Sequence, residues 1–285
     1  MIRHLWAITR VLGGAATALA LACGRPDASP PAGRRIVLGG PADSLIPDGP
    51  LGASIRRGRA LLAATHDSLP AHVGNSLRCV SCHLDDGRRQ NGSWVGVYVR
   101  YPQYRPRSAT VETIEYRVND CFRRSMNGLA LPSDGADMRD IVTYFWFLAR
   151  DVPVAPVPAS NRLAKWAALT PDTAAGARVY AATCAKCHGP TGEGTAVAPP
   201  LWGPQSYNIG AGMSRVRTAA AFINDNMPFD QPGTLTDQQA IDAAAFVNAQ
   251  SRPDFPDKSH DWPNGDAPPD VAYPTHTKPH NGQPR

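Results

Sequence analysis

Apolar residues recur at helical spacing in both halves of the 285-residue chain. In the first half, apolar residues at i, i+3, i+4 and i+7 predict a closing helix that ends at Ala149, and a shorter pattern predicts an entering helix over 55–64. In the second half, Thr236-Asp-Gln-Gln has the pattern of a capping box, and Thr170-Pro171-Asp172 resembles an N-cap followed by proline at the first helical position. The apolar positions of the closing helices are Met138, Ile141, Val142, Phe145, Leu148 and Ala149, and then Ile241, Ala244 and Ala245. Each half is therefore predicted to hold an entering and a closing helix, in a mainly α fold.

Proline-rich segments set the predicted domain boundaries. Residues 151–160 read DVPVAPVPAS, a composition that forbids helix and favours a stiff extended linker. This linker separates two tandem helical domains, predicted over 51–150 and 161–252. A flexible tether over 23–50 and an irregular arm over 253–285 are predicted outside them.

The N-terminus has the pattern of a secretory signal. Two basic residues, Arg3 and Arg10, precede an apolar run from Val11 to Ala22, which predicts a signal peptide over 1–22 and export to the periplasm. The run has about 12 residues, short of the ~20 that a membrane-spanning helix needs, so we expect no transmembrane helix in the mature protein. Cleavage after Ala22 gives either a soluble protein or a lipoprotein anchored through an acylated Cys23.

The charge distribution bears on the partners. The formal charge is +5, but the chain lacks the lysine and arginine runs with interleaved aromatics that a nucleic-acid surface needs. We therefore expect no nucleic-acid partner, and small anions are favoured.

Four of the six cysteines form two copies of one motif. Cys79-Val-Ser-Cys82-His83 and Cys184-Ala-Lys-Cys187-His188 are C-x-x-C-H sequences, typical of covalent c-type haem attachment. In each copy the thiols bind the haem and the histidine ligates its iron. A zinc ribbon and a redox dithiol also use paired cysteines, but the histidine after each pair favours haem. The sequence predicts two covalently bound haem c groups.

Spacing offers a second iron ligand in each half. Met227 lies 39 residues after His188, with Met213 as its rival, and either methionine also suits a core gap. Cys121 lies 38 residues after His83, ahead of the closing helix, and so occupies the same relative position. A buried structural thiol, a disulfide to Cys23, and Met126 as the ligand are the alternatives. A thiolate ligand stabilises ferric iron and leaves a sulfur nucleophile at the metal.

Arginines crowd the sequence around Cys121. From Leu84 to Arg124 there are eight arginines against five acids and no lysine. A guanidinium donates two parallel hydrogen bonds to oxyanions, which favours anion recognition. The alternative is a solvated face paired with its own acids or with haem propionates, which we expect for most of the eight.

The chain resembles the dihaem thiosulfate dehydrogenases of the TsdA type. The matching stretches span about residues 50–262 and include CVSCHLDDGRRQNGSWVGVYVRYPQYRPRSATVETIEYRVNDCFRRSMNG, CAKCHGPTGEGT, LWGPQSYNIGAGMSR and TAAAFINDNMP. The resemblance implies an active-site haem ligated by His83 and Cys121. It also implies two substrate-binding arginines, Arg107 and Arg117.

For the second haem, the resemblance implies His188 and Met227 as ligands and a role in passing electrons outward. Some members carry a lysine before this methionine that exchanges with it on reduction; here the residue is Asn226, and no such exchange is expected. The implied reaction joins two thiosulfates into tetrathionate and is potentially reversible. Its electrons go to an external acceptor such as a small c-type cytochrome.

Two other functions are compatible with two haem motifs. A non-catalytic dihaem carrier would have methionine or histidine as both second ligands and no anion pocket. A sulfur-transfer cytochrome would act on the thiol of a carrier protein and would need a docking surface. Cys121 and its arginines favour the enzyme over the carrier.

Overall fold

A computed structural model of the chain describes residues 39–89, 91–150, 152 and 165–276. The signal peptide, Cys23, most of the linker and the last nine residues lie outside the described residues. In chain order the helices are α1 Gly49–Ala63, α2 Thr65–Ser68, α3 Leu84–Gly87, α4 Ile114–Arg124, α5 Ala136–Ala149, α6 Thr173–Val179, α7 Ala185–His188, α8 Val216–Asn226 and α9 Asp237–Asn248. The strands are β1 Gln103–Arg105 and β2 Thr110–Glu112.

The same helix crossing is built in both halves. Helix α1 packs on α5, and α6 packs on α9. A Cβ added to Gly58 of α1 would lie 1.9 Å from the Asp140 carbonyl oxygen, and one added to Gly176 of α6 would lie 1.9 Å from that of Asp242. Each crossing therefore needs a residue without a side chain, because the two backbones touch there.

The predicted closing helices are present. Helix α5 starts two residues before Met138, and Thr236 and Gln239 form both bonds of the predicted capping box at the start of α9. The cap predicted at Thr170 for the second entering helix is wrong. The Asp172 carboxylate accepts from the Ala174 and Ala175 amides, so Asp172 caps α6 and Pro171 precedes the helix.

Each half has its own apolar core. The first centres on Ile55, Met138 and Ile141, and the second on Trp166 and Ile241. The halves also bond to each other, for example where Asn75 Nδ2 donates to the Ser206 carbonyl at 3.1 Å. Within the described ranges no helix has the length and apolarity needed to cross a membrane.

Two predicted boundaries differ from the structure. The tether predicted over 23–50 extends too far, because α1 starts at Gly49 and Asp43 pairs with Arg59 and Arg88. The predicted irregular arm does lack long helices over 253–276, where a 3₁₀ turn, Pro256–His260, is its only helical element.

The segment 253–276 nevertheless packs closely on the rest of the fold. Phe255, Asp261, Trp262 and Tyr273 are all buried. This part of the chain therefore belongs to the folded protein and is not a free appendage.

A short antiparallel hairpin precedes α4. Strand β1 pairs with β2 in the register Gln103 to Glu112, Tyr104 to Val111 and Arg105 to Thr110. Arg107 lies in the connection between the two strands. The hairpin thus brings Arg107 to the side of α4, whose N-cap Thr113 follows β2 directly.

Candidate active site

The first C-x-x-C-H motif presents a neutral, oriented imidazole. His83 Nδ1 hydrogen bonds to the Gly92 carbonyl, and because a carbonyl only accepts, Nδ1 carries the proton. The indole of Trp94 stacks on the imidazole with ring centroids 4.8 Å apart. Burial lowers the pKa of His83 to about 4, against the opposing effect of the Gly92 bond and with a further lowering by Arg117. His83 Nε2 is thus left with a lone pair, as an iron ligand requires.

The second motif is built in the same way. His188 Nδ1 bonds to the Pro199 carbonyl at 2.8 Å, and burial lowers its pKa. The Tyr180 hydroxyl donates to the Gly189 carbonyl at 2.6 Å, just beyond the histidine. The four motif cysteines are free thiols. Both donor sets, two free thiols and one neutral oriented imidazole, therefore fit a covalently attached haem c.

Cys121 lies on α4 and contacts an arginine of the same helix. Arg117 Nη1 donates to Cys121 Sγ at 3.0 Å. The negative charge of the Cys121 thiolate raises the pKa of Arg117, with burial opposing and Asp120 adding to the effect. Cys121 is a free thiol in the structure, and the disulfide alternative has its other cysteine, Cys23, outside the described residues.

The Cys121 sulfur faces the first haem motif. Burial is the main reason that the pKa of Cys82 rises to about 12, and the charge of Cys121 is the second. The same charge also raises the pKa of Cys79, after the larger effect of burial and the opposing hydrogen bond from Thr65. The three thiols therefore border one space, the one that a haem attached at Cys79 and Cys82 would fill.

The methionines occupy distinct surroundings. Met126 is 4% exposed and belongs to the first core cluster, while Met213 packs against both clusters. Met227 is half-buried and follows α8 as its C-cap. The packing of Met126 and Met213 suits apolar filling, and Met227 stands at the helix end.

Arg107 is held by groups from the second half of the chain. Its Nη1 donates to the Gly210 carbonyl at 2.7 Å, and its guanidinium lies 4.6 Å above the ring centroid of Trp262. Burial lowers the pKa of Arg107 to about 10, and the charges of Arg124 and Arg215 lower it further. The structure prints a sulfur contact for Arg117 and none for Arg107, so the two predicted arginines differ in their distance to Cys121.

Arg124 ties the end of α4 to the C-terminal segment. Its Nη1 and Nη2 each donate to an Asp261 carboxylate oxygen at 2.7 Å, and its Nε donates to Asp120. The Tyr273 hydroxyl donates to the same Asp261 carboxylate. Although burial opposes it, the bond to Asp261 raises the pKa of Arg124. Sequence reasoning assigned no role to Arg124, and the structure makes it the link between two distant segments.

Arg215 was also missed by the sequence reasoning. It precedes α8, and burial lowers its pKa; Asp270 opposes the shift, while Arg105 and Arg117 add to it. The second half thus places a guanidinium within the electrostatic reach of the Cys121 site. The stretch GAGMSR that contains Arg215 belongs to the family resemblance, which was the available signal.

The remaining arginines of the Leu84–Arg124 stretch have mixed surroundings. Arg88 pairs with Asp43 at 2.9 Å, as expected for a face that pairs with acids. The guanidinium of Arg123 lies 5.5 Å from the ring centroid of Tyr116, on the side of a groove that Glu112 and Thr113 also line. Arg117 and Arg107 thus stand apart, as expected for the one or two arginines near Cys121.

Comparisons with known proteins agree with these two sites. A protein-family model described as "SoxA/TsdA, cytochrome c domain" matches residues 71–154, and one described as "Cytochrome C oxidase, cbb3-type, subunit III" matches 171–247. The chain is 43% identical over 239 residues to a thiosulfate dehydrogenase of Psychrobacter arcticus, covering 81% of this chain and 73% of that protein. It is 42% identical over 241 residues to a thiosulfate dehydrogenase of Allochromatium vinosum, covering 79% and 88%.

A solved structure, the thiosulfate dehydrogenase TsdBA from Marichromatium purpuratum in its as-isolated form, has a TM-score of 0.67 and 38% identity. The match covers 78% of this chain and 50% of that one, so the chain spans about half the length of that solved protein. The two cytochrome c domains predicted from the sequence, and their haem c groups, are confirmed. The chain belongs to the thiosulfate dehydrogenase family of c-type cytochromes.

Proposed function

We propose that this protein oxidises two thiosulfate ions to one tetrathionate and passes the two electrons to an external acceptor. The observation that carries the proposal is the contact of Arg117 Nη1 with Cys121 Sγ at 3.0 Å, beside the first haem motif. A plain electron carrier has no need of a cysteine paired with a buried arginine. The 36–43% identity to four thiosulfate dehydrogenases supports this substrate.

The arginines offset the repulsion between the reacting anions. Two thiosulfate dianions must meet at a thiolate, and each unit-charge attraction at ~4 Å is worth about 4 kcal/mol at an effective dielectric constant near 20, before desolvation. Arg117 lies at the thiolate, and Arg107 and Arg215 extend the positive field. We therefore assign thiosulfate binding to Arg117 and Arg107, with Arg215 adding to the potential.

The proposed chemistry takes place at Cys121 Sγ. The thiolate forms an S–S bond with the terminal sulfur of one thiosulfate and the pair loses two electrons, which gives a cysteine S-thiosulfonate. The terminal sulfur of a second thiosulfate then attacks the thiosulfate-derived sulfur of this adduct, the bond to Cys121 breaks, and tetrathionate leaves with the thiolate restored. No proton is consumed or released, and the charges balance in each step.

The site ligands are proposed from the same geometry. His83 and Cys121 would hold the first haem iron, through Cys79 and Cys82 as attachment points; His188 and Met227 would hold the second, attached at Cys184 and Cys187. Two bound haem c groups supply one-electron acceptors for the two electrons, which leave to an acceptor such as a small c-type cytochrome.

One hydrogen-bonded link joins the two ligand loops. Asn91 lies next to Gly92, which holds His83, and Asn91 Nδ2 donates to Asp225 at 2.7 Å. Asp225 precedes Met227 by two residues. This link fixes the second site relative to the first, as electron transfer between them requires.

Export completes the proposal. We infer a periplasmic protein from the signal sequence over 1–22, with Cys23 as the site of a lipid anchor. Mass spectrometry of the mature N-terminus tests this directly: acyl groups on Cys23 support the anchor, and an unmodified N-terminus contradicts it.

The catalytic role of Cys121 is tested with a matched pair of variants. The purified holoprotein is supplied with thiosulfate and ferricyanide, tetrathionate is quantified, and the low-spin ferric signal is recorded by electron paramagnetic resonance. We expect Cys121→Ala to keep both haems but to lose tetrathionate formation and the thiolate-type signal. Met126→Leu should keep both, because Met126 fills the apolar core. Normal turnover in Cys121→Ala would refute the proposal, and a changed signal in Met126→Leu would favour Met126 as the ligand.

A further inference from the structure

Arg107 is fixed by the C-terminal segment at its backbone as well as its side chain. The Trp262 amide donates to the Arg107 carbonyl at 2.7 Å, and the guanidinium lies 4.6 Å above the Trp262 ring. Within the part of the chain that the structure describes, Gly210 is the one hydrogen-bond acceptor shown for the Arg107 side chain. A guanidinium has five N–H donors, so most of the donors on Arg107 can serve an anion.

Trp262 is itself held in place. It is 3% exposed and has φ = +52°, a left-handed conformation that a bulky residue rarely adopts and that costs on the order of a hydrogen bond. The neighbouring Asp261 is fixed by its two bonds to Arg124, and the Tyr273 ring lies 6.3 Å from the Trp262 ring. Surrounding contacts therefore impose this backbone conformation, which turns the indole onto Arg107.

The charges around Arg107 show why a ring is needed there. Burial and the fields of Arg124 and Arg215 all disfavour the charged guanidinium, and Asp120 opposes them only in part. Left to itself, such a side chain gains by turning toward solvent. The negative face of an indole is the strongest aromatic partner for a cation and is itself apolar, so it holds the guanidinium without neutralising it.

We propose that Trp262 is a positioning residue for thiosulfate binding, acting through Arg107. This inference rests on the proposed function, since it assigns Arg107 to thiosulfate. Trp262 does not touch the substrate; it keeps the guanidinium at the anion site with its donors available. A segment whose sequence predicts an irregular arm thus completes the active site from about 155 residues further along the chain.

The test is a double-mutant cycle on the purified holoprotein, with thiosulfate varied and ferricyanide as acceptor. We expect Trp262→Leu to raise KM for thiosulfate by about 5- to 30-fold, with kcat changed much less, since the ring acts on binding. Trp262→Phe, which keeps an aromatic face, should recover most of the affinity. In the Arg107→Ala background, Trp262→Leu should add no further rise in KM.

Two measurements keep the test decisive if Trp262→Leu folds poorly. Biosynthetic incorporation of fluorinated tryptophan preserves the ring shape and weakens its negative face, so it should raise KM in the wild type and not in Arg107→Ala. Trp166→Leu is the control for lost packing. Trp166 is buried in the second core, so this change should lower the unfolding midpoint and leave KM unchanged.

The outcomes separate the two proposals. A wild type that forms no tetrathionate refutes the proposed function. Wild-type turnover together with an unchanged KM in Trp262→Leu, or an equal rise in KM with and without Arg107, overturns the role of Trp262 alone.

Discussion

Replacing Arg117 by alanine is expected to lower kcat/KM for thiosulfate by about 30- to 1,000-fold. Arg117 donates to Cys121 Sγ at 3.0 Å and its side chain is 34% exposed. A Coulomb attraction of about 4 kcal/mol at ~4 Å is the upper estimate for one charge pair, and a hydrogen bond to a charged group is worth about 1.5–3 kcal/mol. Partial exposure screens the charge, which leaves about 2–4 kcal/mol, or tenfold per 1.4 kcal/mol.

The assay is steady-state ferricyanide reduction with thiosulfate varied and tetrathionate quantified. Arg117→Lys should lie between alanine and the wild type, because lysine keeps the charge but lacks the two-pronged donor geometry. Arg123→Ala is the matched control: it removes the same charge from the same helix, where the guanidinium lies over Tyr116 and not at Cys121. It should stay within about threefold of the wild type.

Two results would refute this reasoning. Wild-type kcat/KM in Arg117→Ala would remove Arg117 from the site. An equal loss in Arg123→Ala would mean that net charge, and not a local contact, attracts the anion.

Three further predictions concern stability and the second haem. Asp261→Asn should lower the free energy of unfolding by about 2–4 kcal/mol in chemical denaturation, because it breaks a buried fork with Arg124; an unchanged midpoint would contradict this. Gly176→Ala should destabilise by about 1–3 kcal/mol in the same assay, because the added Cβ meets the backbone of α9; no loss would show that the helices can separate freely. Met227→Leu should lower one of the two haem reduction potentials in a redox titration and Met213→Leu should not; the opposite result would exchange their roles.

The local parts of the fold and site followed from the sequence. The capping box at Thr236 and the apolar period before Ala149 are short-range signals, and the structure shows both helices. The motif cysteines and Cys121 could be aligned by counting because each half places its second-ligand position at a similar distance from its C-x-x-C-H motif. The cap at Thr170 failed because Asp172, two residues on, offers a carboxylate to two helix amides.

The long-range parts did not follow. Arg124 bonds to Asp261 across 137 residues, and Trp262 meets Arg107 across a similar distance. No periodicity marks such contacts, and the prolines around Asp261 and Trp262 favour irregular backbone whether or not it packs. The sequence shows that arginines surround Cys121, but only the tertiary structure separates those paired with acids from those facing the sulfur.

The central claim is that Cys121 Sγ bonds to thiosulfate during the reaction. Oxidised holoprotein can be mixed with one equivalent of thiosulfate and excess ferricyanide, quenched in acid, digested, and mapped by mass spectrometry. The account predicts a thiosulfonate group, S–SO₃⁻, on the peptide that carries Cys121, and its loss with tetrathionate formation when a second equivalent is added. An unmodified Cys121 peptide in an enzyme that still forms tetrathionate at its normal rate would contradict the account.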